Sequence, residues 1–304
     1  MTHATKPVNR VREYTLLLLL ASLWGSSYLF IRVGLETIPP VTLIAMRVTV
    51  AALVLLTVVR LQGHSLPRDK GIWRNFLIQS FFNSFGAWTL LAWGQQYVES
   101  GLATVLNSTS PIFVFLLTFL FTRHEAVPFR KLAGAVIGLC GIVLIIGIDA
   151  LHSIGDQVVA QLAILGSAML YGYAAINGRK FASLPSTVTA AGVMVCASLV
   201  LIPASLVIDR PWTLSPSLAS LVAVITLGTF GTGLALLLYF RLINTLGSLN
   251  TASQSYLRMG IGVALGILLL GESFSLIVGL GLVTAMLGVM LINLPERRKK
   301  APVS

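Results

Sequence analysis

The sequence predicts an all-α polytopic membrane protein with ten transmembrane helices, arranged as two inverted five-helix repeats around a central cavity. Three observations carry that expectation. Of 304 residues, 56% are hydrophobic and only 10% charged, with a mean hydropathy of +0.89, where soluble domains carry about 25% charged residues. Apolar runs of about 20 residues, the length of a helix that crosses a bilayer, follow one another along the whole chain. Residues that are uncommon in such runs also recur at one fixed step. Gly25 and Gly172, Arg32 and Arg179, Glu125 and Glu272, Gly134 and Gly281, and Gly141 and Gly288 each stand 147 residues apart, and Trp24 meets Tyr171 at the same step. Five spans per copy is an odd number, so the second copy enters the membrane from the opposite face. That predicts a pseudo-two-fold axis in the membrane plane and a site between the halves, residues 1–150 and 151–304.

The spans are expected near residues 14–33, 41–59, 73–95, 102–122, 129–148, 158–178, 187–208, 218–240, 249–270 and 274–293. Lys6, Arg10 and Arg12 ahead of Leu16–Leu20 resemble the start of a signal peptide. The apolar run continues to Ile31 and more spans follow, so an uncleaved first helix is expected. Cytoplasmic loops retain Lys and Arg. With the N-terminus inside, 17 of the 21 basic residues fall in inner segments, which assigns both termini to the cytoplasm. The net charge of +11 therefore reports topology. Nucleic-acid binding needs those charges clustered on one face, and they are spread among loops. The expected partners are the lipid bilayer and a small-molecule substrate. Cys140 and Cys196 both sit in apolar runs, where cysteine acts as a small packing residue.

Two polar segments interrupt long apolar runs at corresponding depth: Asn107-Ser108-Thr109-Ser110-Pro111 and Gln254-Ser255-Tyr256-Leu257-Arg258. Arg258 lies about 15 Å into its span at 1.5 Å per residue, where an arginine costs about 2.5–3.5 kcal/mol and turns toward a bundle interior or a wet cavity. It is a counter-charge for a substrate carboxylate, held by two parallel hydrogen bonds, or a structural arginine satisfied by carbonyls and water. Pro111, its mate, removes a backbone hydrogen bond, so a kink is expected there. Thr104, Asn107 and Ser108 share one helical face, as do Thr251, Gln254, Ser255 and Arg258. Trp24, Ser27 and Tyr28 form a face of the first span, with Tyr171 at the Trp24 position in the sixth. Gln79 and Asn83 lie one turn apart in the third span, followed by Trp88.

These side chains form the expected substrate-binding set: Trp24, Ser27, Tyr28, Gln79, Asn83, Asn107, Ser108, Tyr171, Gln254, Ser255 and Arg258. Trp73, Tyr97 and Tyr239, near span ends, read as interface aromatics. Gly134, Gly138 and Gly141, and Gly262 and Gly266, read as close helix contacts. Arg47, roughly 10 Å into the second span, is expected to bend its side chain toward the outer surface.

Absences bound the mechanism. Every carboxylate from Glu13 to Glu296, and every histidine, falls at a span end or in a loop, whereas proton relays use such groups within the membrane. Facilitated diffusion is therefore expected. Intramembrane hydrolysis lacks its acids, bases and metal ligands, and no GxxxxGK[ST] loop supports direct ATP drive. No enzymatic activity is expected.

The Ala21-Ser22-Leu23-Trp24-Gly25-Ser26-Ser27 opening, Arg47, the Asn107–Pro111 stretch, Glu125 and the Gly134/Gly138/Gly141 helix resemble the drug/metabolite transporter superfamily in its EamA-type ten-helix branch. Within it the chain is similar to bacterial inner-membrane exporters of amino acids, including aromatic ones. The resemblance implies alternating access between two inverted repeats, with no cofactor. It also implies a proline where this chain has Arg258, a departure that points to a specific role for the arginine. Small relatives that exchange cationic drugs use a glutamate within the first span, and none is found here. Export of neutral or aromatic amino acids is the leading expectation. Another metabolite, such as a nucleobase, polyol or organic acid, and a non-transporting receptor or scaffold are the alternatives.

Overall fold

The computed structural model describes residues 10–121, 129–146, 156–181, 183–252, 254–273 and 275–293, and every regular element among them is helical. Glu125, the 150/151 boundary, His124, His152, Lys6 and the C-terminal basic residues lie outside the described residues. The α-helices are α1 (Arg10–Gly25), α2 (Ser27–Leu35), α3 (Pro40–Leu61), α4 (Lys70–Ser80), α5 (Gly86–Gly94), α6 (Ser100–Asn107) and α7 (Ser110–Phe121). They continue as α8 (Phe129–Ile146), α9 (Asp156–Asn177), α10 (Ser186–Ile208), α11 (Leu218–Gly228), α12 (Ala235–Ala252), α13 (Gln254–Leu270) and α14 (Leu276–Asn293).

Several short helices are parts of one rod. Ser26 donates its backbone N–H to Ser22 and accepts from Phe30, so α1 and α2 form one span. A π-helical turn, Phe81–Phe85, joins α4 to α5, and another, Thr229–Leu234, joins α11 to α12. The two turns fall within two residues of the 147-residue step. Six helices among the described residues are long and apolar enough to cross a membrane, and Leu257–Leu270 and Leu276–Ile292 are shorter apolar helices. Large apolar side chains such as Leu53, Leu199, Leu268 and Leu276 are exposed, while Ser84, Gln95, Ser108 and Ser167 are fully buried. An apolar exterior around a polar interior suits lipid as solvent, where helices satisfy their own backbone groups.

Helix packing follows the internal step. Helices α3 and α10 run antiparallel and cap each other. Asp209, just past α10, accepts from Thr42 N at 2.7 Å and Thr42 Oγ1 at 2.8 Å, and Gln62, just past α3, accepts from Thr187 Oγ1 at 2.8 Å. Gln62 and Asp209 are themselves one step apart. The Asp209 bond to the Thr42 backbone N–H acts as a cap of α3, worth about 0.5–2 kcal/mol, whereas Gln62 and Thr187 meet side chain to side chain. Helices α8 and α14 meet backbone to backbone: a Cβ at Gly134 would lie 2.8 Å from Gly288 O, and one at Gly141 would lie 2.8 Å from Gly281 O. Gly25 sits on α13, 2.9 Å in the same sense from Ile261, while Gly172 sits on α7, 3.1 Å from Val114 N. Each contact has its counterpart one step away.

One contact breaks the pattern. Gly94 on α5 packs tightly against Ala160 on α9, but their step mates, Arg241 and Glu13, form an ion pair at 2.7 Å. Glu13 also accepts from Thr245 Oγ1 at 2.9 Å. That cluster explains a difference from the sequence reading: residues 241–248, expected as a loop, continue α12, because Arg241 and Thr245 on successive turns share one buried carboxylate.

Candidate functional site

The polar interior is built where α6 gives way to α7. Pro111 has no N–H to continue the ladder, and the chain turns through Ser108 and Thr109, with Ile112 N donating to Thr109 O at 2.8 Å. Asn107, at the end of α6, is thereby presented to α2 and α9. Tyr28 Oη donates to Asn107 Oδ1 at 3.0 Å, and Asn107 Nδ2 donates to Ser167 Oγ at 3.1 Å. Helix α6 is fixed from its other end by Glu272, whose carboxylate accepts from Ser100 N at 2.6 Å and Gly101 N at 2.8 Å. Burial and the nearby Glu272 carboxylate raise the neighbouring Glu99 carboxyl above its ordinary value, against the pull of Arg32.

Arg258 reaches the same place from α13. One terminal nitrogen donates to Ser108 Oγ at 3.0 Å. Gln254, one turn earlier, donates through Nε2 to Ser255 Oγ at 3.1 Å. Two atoms remain: Gln254 Oε1 and Arg258 Nε are buried with no hydrogen-bond partner. Leaving a buried donor or acceptor unpaired costs about 1–3 kcal/mol, more for a charged group, and here an acceptor and a cationic donor stand at i and i+4 on one face of α13.

A second cation joins them, and it corrects the sequence reading of Arg47. Rather than bending outward, Arg47 is turned inward and is only 4% exposed. Its Nε donates to Thr232 Oγ1 at 2.9 Å, and its guanidinium carbon lies 3.8 Å from the centroid of the Trp88 ring. A cation over an indole face is held by the ring quadrupole, which is worth about 2 kcal/mol when desolvated and replaces the gain from reaching water. Thr232 is in position because the π-helical turn lets its hydroxyl bond five residues back, to Leu227 O. Trp88 Nε1 donates to Tyr171 Oη. Tyr171 stands one turn along α9 from Ser167, which binds Asn107, so a chain of contacts runs from Arg47 through Trp88 and α9 to Asn107 and to Ser108, the partner of Arg258. Among the described residues neither arginine is in an ion pair.

The cluster thus gathers Tyr28, Asn107, Ser108, Tyr171, Gln254, Ser255 and Arg258 from the expected set. The remaining members lie elsewhere. Trp24 packs against Tyr239 with centroids 5.3 Å apart, in a small apolar cluster of α1 and α12, so Tyr239 is a packing partner rather than an interface aromatic. Ser27 Oγ bonds back to Leu23 O at 2.9 Å. Gln79 bridges α4 to α9, donating to Ala174 O at 3.1 Å and accepting from Asn177 Nδ2 at 2.8 Å. Asn83 donates to Ser84 Oγ at 3.4 Å in the π-helical turn. The sequence reading missed Ser167, Thr232 and the inward direction of Arg47. Only Arg47 carried a signal, as a cation deep in an apolar run.

The helical bundle has an apolar exterior and a polar centre whose two cations are in no ion pair among the described residues, an arrangement suited to carrying small solutes through a membrane. The chain belongs to the EamA-like transporter family, whose model matches residues 12–147 and again residues 158–294. The uncharacterized inner membrane transporter YedA of Escherichia coli K12 is 32% identical over 289 residues, covering 92% of each chain. The uncharacterized transporter YoaV of Bacillus subtilis is 23% identical, covering 91% of this chain and 95% of its own length. One solved crystal structure superposes with a TM-score of 0.66 at 19% identity, covering 92% of this chain and 96% of the other, a likeness of fold.

Proposed function

We propose that the protein exports amino acids across the bacterial inner membrane by alternating access, as a facilitator rather than a proton exchanger. Ten spans in two inverted five-helix repeats, 1–150 and 151–304, would rock about the centre, with both termini in the cytoplasm. The reciprocal contacts of α3 with α10 and α8 with α14, each mirrored at the 147-residue step, support that arrangement. The observation that carries the substrate reading is the unpaired couple on α13. Arg258 Nε offers a cationic donor to a carboxylate, and Gln254 Oε1 offers an acceptor to an ammonium group one turn away. A ligand bearing both groups on one carbon satisfies both atoms at once. Tyr28, Asn107 and Ser108 border the same point, and Tyr171 supplies an aromatic wall.

The ion pair Glu13–Arg241 lies away from this cluster, and no carboxylate or histidine is among the cluster's residues. Transport is therefore expected to ignore the proton gradient. Counterflow of labelled amino acids in proteoliposomes tests this. Saturable flux that is the same with and without a pH gradient is expected, and uphill accumulation driven by the gradient alone contradicts it. Absence of amino-acid flux from verified, folded protein overturns the substrate reading.

A further inference from the structure

We infer that Arg47 is a second anion-recognising group of the same site, and that the substrates this transporter takes best carry two acidic groups, one for each inward-turned guanidinium. The inference rests on the transport reading above and departs from the neutral or aromatic preference expected from Arg258 as a lone central cation.

Arg47 uses only one of its donors within the protein: Nε is bonded to Thr232 Oγ1, and among the described residues its terminal nitrogens have no hydrogen-bond acceptor. The Trp88 ring covers one face of the guanidinium but accepts nothing in its plane, where carboxylate oxygens bind in parallel pairs. Thr232 at the Nε edge and Trp88 over one face therefore hold the fork in a fixed orientation, with the edge of its terminal nitrogens left for a ligand. Trp88 is fixed in turn by its bond to Tyr171. Preorganisation of this kind suits a recognition group, since the side-chain ordering is done before the ligand arrives.

Charge gives the same answer. Arg47 is tied through Trp88 to Tyr171 and Arg258 to Ser108, and among the described residues no carboxylate pairs with either cation. Two like charges gathered inside one bundle repel each other, and the burial of Arg47 adds a desolvation cost. A neutral amino acid brings one carboxylate and leaves the second guanidinium uncompensated. A substrate with a second carboxylate completes both. The amino group is read separately, by Gln254 Oε1, so acidic amino acids and plain dicarboxylates share the two-acid chemistry and differ only at that atom.

The test is competition against a labelled acidic amino acid in proteoliposomes of the wild-type protein, with glutamate, aspartate, succinate, phenylalanine and leucine as unlabelled solutes. Glutamate or aspartate is expected to be carried at least tenfold better than phenylalanine or leucine. Succinate in the same range as glutamate would mean that the amino group contributes little, while the two-acid requirement stands. Neutral amino acids carried as well as or better than acidic ones overturn the inference and leave the amino-acid reading intact. Flux of succinate without any amino acid overturns that reading and keeps this one, and flux of none of the five overturns both.

Arg47→Gln keeps the Thr232 bond while removing the charge. It is expected to lower the ratio of acidic to neutral transport at least tenfold, with partial recovery of the ratio in Arg47→Lys. An equal loss for all substrates would assign Arg47 a structural role and overturn the inference. If Arg47→Gln does not fold, the wild-type selectivity decides alone.

Discussion

Replacing Arg258 with alanine is expected to reduce amino-acid flux by roughly 30- to 1,000-fold, the loss of about 2–4 kcal/mol that follows truncation of one partner in a buried charge-assisted contact. The fold should survive the change. Among the described residues Arg258 contributes one internal bond, to Ser108 Oγ, and its buried Nε has no partner, so the alanine variant removes a partly buried cation at the loss of one hydrogen bond. The thermal midpoint of the detergent-purified variant is expected within a few degrees of the parent, or above it. Initial counterflow rates check the first statement and an unfolding scan checks the second. Flux that persists in a folded Arg258→Ala protein would remove the arginine from the mechanism.

The second large effect concerns folding. Gly288→Leu is expected to abolish recovery of folded protein. Its Cβ would stand 2.5 Å from Gly138 Cα and 2.6 Å from Gly134 O, and backbone atoms cannot rotate aside as a side chain can. Overpacking costs about 1–3 kcal/mol where side chains adjust, and more here, because α8 and α14 have to separate along their shared seam. Gly279 on the same helix provides the control, since nothing lies within 4 Å of a Cβ built there. Gly279→Leu is expected to purify as the parent does. Size-exclusion profiles of the two variants make the comparison, and a monodisperse Gly288→Leu protein would contradict the packing account.

The contrast between these two residues also indicates what was legible in the sequence. Gly134, Gly141, Gly281 and Gly288 announce a close contact through spacing and through the 147-residue step, and their partners turn out to be each other, because only glycine on both sides allows backbone to touch backbone. The polar stripe of Gln254, Ser255 and Arg258 was legible for a related reason: polar groups that must avoid lipid turn inward whatever the details. The direction of Arg47 was not. A long side chain near a span end can bend toward water or toward the centre, and the choice is made by Trp88 and Thr232, which come from α5 and from a π-helical turn some 185 residues away. Nor could periodicity reveal that Gln79 is committed to Asn177, or that Trp24 finds Tyr239, since both pairs depend on which helices become neighbours. The continuation of α12 through residues 241–248 was hidden in the same way, by a carboxylate contributed from α1.

The central claim is that the unpaired couple on α13 reads a carboxylate and an ammonium group on one carbon of the transported solute. Counterflow of one labelled amino acid against three unlabelled solutes inside the vesicles tests it most directly: the same amino acid, its decarboxylated amine and its deaminated acid. The account predicts that only the intact amino acid supports full exchange, with the amine reduced most, because Arg258 loses its anion, and the acid reduced less, because Gln254 Oε1 loses a single bond. Equal exchange with the amine and the amino acid would contradict it.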